Sequence, residues 1–127
     1  MKRERFNHKT RENVYEKCNG HCAYCGVEIS MSEMQVDHVI PLKFAEVYKE
    51  HQGTNLNAIE NLMPSCRSCN HYKSSLTVEK FRQALEKIPD VLQRDSATYR
   101  TAVRFGIIEP RPQKVSFYYE LLEAAKR

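Results

Sequence analysis

The feature that most constrains this chain is a pair of matched C-x-x-C motifs, Cys22–Cys25 and Cys66–Cys69. Two residues between cysteines allow a tight turn to present both thiolates to one ion, and Gly26 supports such a turn after the first motif. Two of these turns complete a tetrahedral four-cysteine site, which leaves no coordination position open for chemistry. Either motif alone could be a redox site, but two matched motifs favour metal binding. We therefore predict a structural Zn²⁺ bound by Cys22, Cys25, Cys66 and Cys69.

The segment between the two motifs, residues 26–65, is longer than the roughly 15–20 residues of a simple zinc ribbon and must fold. Residues 34–40 are rich in β-branched residues and stop at Pro41, which predicts a strand. Residues 61–65 fit a second short strand, and residues 67–75 fit a short helix. Residues 43–57 are polar and irregular, which predicts a loop.

Helical patterns flank this central region. Residues 10–17 predict a short helix with Thr10 as a possible N-cap. Apolar residues at helical spacing predict a helix from about residue 77 that Pro89 ends. Residues 95–105 predict a further helix, capped by Asp95 or Ser96. Residues 115–127 fit either a strand or a helix.

Length and cysteine usage limit the class of protein. A chain of 127 residues suffices for one domain with a modest core. The charged N-terminus lacks the apolar stretch of a secretory signal, and no run approaches the roughly 20 apolar residues of a membrane span. Four of the five cysteines form C-x-x-C pairs, which favours metal thiolates in a reducing compartment. We expect a cytoplasmic, intracellular protein, in which Cys18 is a buried small residue, a free thiol or an alternative ligand.

The charge distribution favours a polyanionic partner only weakly. The net charge is +4, and five basic residues crowd the first eleven positions: Lys2, Arg3, Arg5, Lys9 and Arg11. Such an arm suits DNA or RNA, but a solvated basic face explains it equally well. Further along the chain, candidates for contacts with a nucleic-acid backbone are Arg67, Arg82, Arg100 and Arg104, with ordinary surface charge as the alternative.

Polar residues able to bind metal or phosphate surround the second cysteine motif. Asp37 and His38 would point to opposite faces of an ideal strand, so sharing one site requires a strand end or a bend. Asn70 and Lys73 share a helix face, whereas His71 is turned about 100° from Asn70. Each residue also has a structural interpretation, such as a turn cap, a core histidine, a helix start or a solvated charge.

The joint order of these residues is more specific than any one of them. The pattern D-H-x-x-P, then N-L with Asn61, then C-x-x-C-N-x-x-K resembles the HNH nuclease family. The resemblance runs from Cys22 to about Ser75 and includes C-A-Y-C-G, V-D-H-V-I-P-L, E-N-L-M and C-R-S-C-N-H-Y-K. It implies an α+β fold with a small ββα-metal core, stapled by the four-cysteine zinc site and surrounded by additional α-helices. We expect a single domain over residues 1–127, with the motif core at about 22–75 and a helical extension at about 76–127.

The resemblance also implies residue roles. His38 would be the general base, a task that the ordinary histidine pKa near 6.5 suits. Asp37 and Asn70 would hold a catalytic divalent ion, for which Mg²⁺ or Mn²⁺ fits best. Asn61 would set the loop that aims His38, and Lys73 would bind substrate near the phosphate. Attack by water would leave a 5′-phosphate and a 3′-hydroxyl.

The chain departs from many family members at Asn70, where they carry a histidine. An amide ligand makes softer ions such as Ni²⁺ or Zn²⁺ less favoured at the catalytic position. His71 is the alternative ligand if the helix begins irregularly.

These patterns are compatible with three alternative functions. The leading hypothesis is a metal-dependent DNA endonuclease of low sequence specificity, because no sequence-reading module is recognisable. The alternative is a zinc-stapled nucleic-acid-binding module without catalysis, which would not need Asp37, His38, Asn61 and Asn70 in register. A protein-interaction domain is the third.

Overall fold

The computed structural model describes residues 5–47 and 53–126, and within them the chain has an α+β fold. Lys2 and Arg3 of the basic arm lie outside these ranges. The predicted loop over residues 43–57 lies partly outside them, because residues 48–52 are not described. In chain order the elements are α1 (His8–Glu16), β1 (Gln35–His38), α2 (Phe44–Val47), a 3₁₀ turn (Ile59–Asn61), β2 (Leu62–Ser65), α3 (Arg67–Lys73), α4 (Val78–Glu86), α5 (Ile88–Asp95), α6 (Ala97–Arg104) and α7 (Tyr118–Ala125).

A two-stranded antiparallel sheet and the helix after it form the centre of the fold. Strand β1 pairs with β2 in the register Gln35 with Ser65 through His38 with Leu62. Helix α3 starts directly after β2 and packs against β1. Both predicted strands and the predicted helix are therefore confirmed, and they make a ββα unit.

A small apolar core lies between this sheet and α1. Its buried members are Val14, Ile29, Met34, Val36 and Leu62, with Phe6, Tyr15 and Cys66 packed against them. The core is modest, as the sequence suggested, and apolar burial therefore stabilises this unit less than it stabilises a larger domain.

Backbone hydrogen bonds fix the turn at Cys22–Cys25 on two sides. The amide of Ala23 donates to the carbonyl of Pro64 in β2 at 2.8 Å. At the start of α7, the amide of Tyr118 donates to the carbonyl of Tyr24, and that of Tyr119 donates to Ala23. The C-terminal segment, which fits a strand or a helix by sequence, is a helix that anchors this turn.

The helical part of the prediction holds with three differences. The short helix α2 (Phe44–Val47) lies within the predicted loop over residues 43–57. Ser96 caps α6, as one of the two predicted caps, whereas Asn7 caps α1 by accepting from the amide of Thr10. Helix α5 differs from the prediction, because the sequence predicts that the preceding helix ends at Pro89 and predicts no helix directly after it. In the structure Pro89 lies in the first turn of α5. A backbone N–H at this position would have no acceptor within the helix, so a proline costs no hydrogen bond there.

The chain divides into two compact units. The first comprises the residues up to Val78 together with those from Ser116 onward, and it contains the ββα unit. The second runs from Glu79 to Val115, and in it α5 packs against α6. Within the second unit, Arg82 donates to the carbonyl of Val115 at 2.6 Å, and the amide of Val115 donates to the Glu86 carboxylate at 2.8 Å. No helix in the described ranges is long and apolar enough to cross a membrane.

Gly26 allows the first cysteine turn to close, and its replacement should destabilise the fold. Its φ is +79°, and an added Cβ would lie 2.9 Å from Cδ1 of Tyr118. We expect Gly26→Ala to lower the free energy of unfolding by more than about 1 kcal/mol in urea denaturation of the zinc-loaded protein.

Gly106→Ala is the matched control for this prediction. Gly106 has a similar φ of +72°, but no described atom lies within 4 Å of an added Cβ. Equal destabilisation by the two variants would show that the contact with Tyr118 costs nothing.

Candidate active site and metal-binding cluster

The four cysteines of the two C-x-x-C motifs meet in space. Their sulfur atoms all lie within 4.8 Å of one another, and Cys25 Sγ is 3.8 Å from Cys66 Sγ. Sulfurs at the corners of a tetrahedron with Zn–S bonds of 2.3 Å are separated by about 3.8 Å. Within the described residues this is the one cluster of histidine, cysteine and acidic side chains that could hold a metal ion.

The local folding of the second motif explains how its sulfurs are aimed. Cys66 is the N-cap of α3, and its sulfur accepts from the amide of Cys69 at 3.4 Å. Hydrogen bonding between the Cys22 and Cys69 thiols lowers the pKa of Cys22 below its usual range and raises the pKa of Cys69, so Cys22 is the member of this pair that favours the thiolate. Cys18 is outside the cluster and buried, and burial raises its pKa to about 11, which leaves it a protonated core residue at neutral pH.

A cleft of about 340 Å³ lies beside the end of β1. Three of the predicted catalytic residues line it: Asp37, His38 and Asn70. His38 is the last residue of β1, so the strand ends where the two neighbouring side chains must approach one site. Exposed polar residues also line the cleft, among them Lys43, Ser74 and Ser75.

His38 is held in one orientation by Asn57, a residue that the sequence analysis missed. The two side chains are buried, and His38 Nε2 lies 2.8 Å from Asn57 Oδ1. An amide oxygen only accepts hydrogen bonds, so Nε2 carries the proton and the lone pair of the neutral ring is at Nδ1. The ring of Phe6 packs 5.9 Å from the His38 ring. Nothing in the sequence near Asn57 links it to His38, because the two are joined only by the fold.

Asn61 ties together the two segments that carry His38 and Asn57. Its side-chain oxygen accepts from the amide of Ile40 at 2.8 Å, and its Nδ2 donates to the carbonyls of Ile40 and Leu56 at 3.0 and 2.8 Å. The backbone carbonyl of Asn61 accepts from Val39. These bonds fix the loop after β1, which is the placement that the proposed orienting role requires.

Asp37 is held by a different set of partners from the His38–Asn57 pair. Its carboxylate is 4% exposed, accepts from the hydroxyl of Tyr24, and pairs with Lys73 at 3.2 Å. Burial raises the pKa of Asp37 above its usual range, and the nearby ammonium and hydroxyl oppose this shift without cancelling it.

Lys73 occupies a different environment from the one that the resemblance implied. Its side chain is fully buried, and its ammonium donates to Asp37 and to the carbonyls of His38 and Val39, at 3.1 and 3.4 Å for the carbonyls. These partners use the three donors of an ammonium group. The geometry does not fit a direct contact with a substrate phosphate, because the amine is enclosed by protein. Among the lysines of the described chain, exposed Lys43 is the one that lines the cleft.

The structure distinguishes Asn70 from its neighbour His71. Asn70 is partly buried and lines the cleft, whereas His71 is exposed and is absent from the lining. Helix α3 is regular from Arg67, so the irregular start that would bring His71 into the site does not occur.

The chain is similar to known nucleases over its central region. Residues 22–76 match a family model described as HNH endonuclease. A Bacillus subtilis protein, YoqL, named provisionally as an HNH endonuclease of the SPbeta prophage, is 30% identical over 91 residues, or 63% of this chain and 36% of that protein. The CRISPR-associated endonuclease Cas9 of Corynebacterium diphtheriae is 35% identical over 65 residues, or 51% of this chain and 5% of Cas9.

A crystal structure of the Type II-C Cas9 of Actinomyces naeslundii shares 27% sequence identity with the chain, with a TM-score of 0.47. That match covers 64% of this chain and 8% of Cas9. The chain thus spans 36% of the length of YoqL and far smaller parts of the Cas9 proteins.

Removing the Lys73 charge should destabilise the fold strongly. Lys73→Met leaves the buried Asp37 carboxylate without its cation, which costs about 3–5 kcal/mol in unfolding free energy. Lys9→Met is the control, because the Lys9 side chain is 76% exposed and its loss should change stability by less than about 0.5 kcal/mol.

The double variant Asp37→Asn/Lys73→Met identifies the cause. It removes both buried charges. In urea denaturation its loss of unfolding free energy should be smaller than the sum of the losses in Asp37→Asn and in Lys73→Met. Additive losses would mean that the pair does not interact energetically.

Proposed function

We propose that the HNH endonuclease domain formed by residues 22–76 hydrolyses phosphodiester bonds in DNA, with His38 as general base and one divalent ion held by Asp37 and Asn70. The observation that carries this proposal is the shared cleft, which His38, Asp37 and Asn70 line together although Asp37 and His38 have different hydrogen-bond partners. The relatives are named as endonucleases, which supports the reaction class; DNA as the substrate is part of this proposal, because the chain covers only part of each relative.

His38 has the arrangement that a general base requires. With its Nε2 proton engaged by Asn57, the Nδ1 lone pair can take a proton from a water molecule. As that proton moves to Nδ1, the water oxygen forms a bond to phosphorus and the bond to the 3′ oxygen of the DNA breaks. The departing 3′ oxygen takes a proton from solvent water and becomes the 3′-hydroxyl. Asn61 holds both neighbouring segments, so the ring needs no reorientation before reaction.

Asp37 and Asn70 offer suitable ligands for a hard ion. A carboxylate has about four acceptor positions, and the contacts from Tyr24 and Lys73 use three of them, so about one lone pair on Asp37 is left for coordination. An oxygen-only donor set favours Mg²⁺ or Mn²⁺ over softer metals. A divalent ion bound there would neutralise charge that develops on the phosphate and the leaving oxygen.

Lys43 replaces Lys73 as the proposed phosphate contact. It is exposed and lies in the cleft lining with Ser74 and Ser75, so an ammonium and two hydroxyls can approach a bound phosphodiester. Lys73 acts instead from inside the protein, where it holds Asp37 and the end of β1 in place.

We assign the four-cysteine cluster to structural Zn²⁺. Four thiolates close the coordination sphere, so the ion would supply stability and no reacting position. Zinc content measured by plasma mass spectrometry should be one ion per chain. Cys25→Ser should abolish the zinc and lower the melting temperature by more than about 10 °C, because zinc binding contributes directly to folding.

Cys18→Ala is the matched control for the cluster. Cys18 is buried outside the four-sulfur group, so this variant should keep its zinc. Loss of zinc in Cys18→Ala together with its retention in Cys25→Ser would overturn the ligand assignment.

The nuclease proposal is tested by cleavage of supercoiled plasmid with Mg²⁺ or Mn²⁺. His38→Ala should reduce the cleavage rate about 10²–10⁴-fold, the usual contribution of a positioned general base. His71→Ala is the matched control, since His71 is exposed outside the cleft and its loss should leave the rate unchanged.

Two outcomes would contradict this assignment. Equal activity of the wild type and His38→Ala would remove His38 from the reaction. Salt-dependent DNA binding by the zinc-loaded wild type, with no cleavage in either metal, would favour the binding module without catalysis.

A further inference from the structure

Tyr24 connects the cysteine cluster to the proposed catalytic carboxylate. It stands inside the first C-x-x-C motif, between Cys22 and Cys25, and is 3% exposed. Its hydroxyl donates to Asp37 Oδ2 at 2.5 Å. The side chain therefore spans from a turn that carries two of the cluster's sulfurs to an oxygen of the proposed ion ligand.

The position of the Tyr24 ring is strongly restricted. Phe117 and Tyr119 pack edge-on against it, with centroid distances of 5.2 and 6.2 Å and interplanar angles of 83° and 90°. Its carbonyl accepts from the amide of Tyr118 at 3.1 Å. Aromatic packing of this kind leaves the hydroxyl little freedom, so it fixes the point from which Asp37 receives its hydrogen bond.

We propose that Tyr24 is a positioning residue for the catalytic ion: its hydroxyl sets the orientation of the Asp37 carboxylate, and through it the four-cysteine cluster controls the affinity of the Asp37–Asn70 site. This inference rests on the proposed function, because it takes Asp37 as a ligand of that ion. Within the described residues no cysteine lines the cleft, and Tyr24 is the side chain that joins the first cysteine turn to Asp37.

The physical basis is the pair of donors on Asp37. Lys73 lies within 3.2–3.4 Å of both carboxylate oxygens, so it supplies charge but little rotational preference. Tyr24 donates to one oxygen only and thereby distinguishes Oδ2 from Oδ1. Without that bond the carboxylate can rotate about its Cβ–Cγ bond, and its lone pairs lose their fixed direction toward the cleft. Hydrogen-bond partners that orient a metal ligand typically contribute about 10–100-fold to metal affinity.

The test uses the full zinc-loaded chain without DNA, with Mn²⁺ as the probe. Free Mn²⁺ is measured by electron paramagnetic resonance during titration, and Asp37→Asn identifies the site that depends on this carboxylate. Tyr24→Phe keeps the packed ring and removes only the hydroxyl, and it should weaken the Asp37-dependent binding about tenfold.

Tyr15→Phe is the matched control, because the Tyr15 hydroxyl also makes one internal hydrogen bond, to the carbonyl of Ile29 at 2.7 Å. It should leave Mn²⁺ binding unchanged. Replacing Tyr24 with p-aminophenylalanine restores a donor at the same position and should return the affinity to within about threefold of wild type. Zinc content and melting temperature of each variant show whether the cluster and the fold are intact.

The outcomes separate this inference from the nuclease proposal. Mn²⁺ affinity of Tyr24→Phe equal to or tighter than wild type overturns the inference, as does an equal loss in Tyr15→Phe. Wild-type binding that Asp37→Asn does not reduce also overturns it, since Asp37 is then no ligand. Plasmid cleavage by the wild type is scored independently, so a protein that binds Mn²⁺ as expected but cleaves no DNA contradicts only the proposed function.

Discussion

The four cysteine sulfurs form the contact on which the rest of the first unit depends. They join two turns that residues 26–65 separate in the sequence, and this intervening segment contains both strands and the proposed catalytic pair. The apolar core beside it has few buried members, so its burial gives limited stabilisation. A closed metal cluster would supply what a small core lacks, because ion binding contributes directly to the free energy of folding.

The second constraint is the buried ion pair of Lys73 and Asp37. Burying a charge is unfavourable unless a partner and hydrogen bonds compensate it, and here an ammonium finds one carboxylate and two carbonyls. Because those carbonyls belong to His38 and Val39, Lys73 also secures α3 to the last residue of β1. A lysine in this position is therefore tied to the geometry of the site even though its amine is enclosed by protein.

The sequence was sufficient for elements with a local signal and insufficient for side chains joined only by the fold. Pro41 and the β-branched run predicted β1, and the cysteine spacing predicted the cluster. The prediction from Pro89 was incomplete, because a proline can follow the end of one helix and also lie in the first turn of the next. Which of these occurs depends on what the following residues pack against. The resemblance to a known family supplied Asp37, His38 and Asn70, but not the partners of His38 and Asp37. Asn57 and Tyr24 are 19 and 13 residues from those partners, and no periodicity links such pairs.

The two cysteine turns each contribute a residue to the proposed ion site, which explains why the site and the cluster lie so close in the sequence. Asn70 directly follows Cys69 on α3, whose first turn Cys66 caps, and Tyr24 directly precedes Cys25 and holds Asp37. Displacement of either turn would move one of the two ligands relative to the other. One carboxylate and one amide bind an ion only weakly. The distance between these two ligands must therefore be set by the fold before the ion binds. A structural metal bound by both turns would meet this requirement, because it would fix the supports of Asp37 and Asn70 in a single cluster.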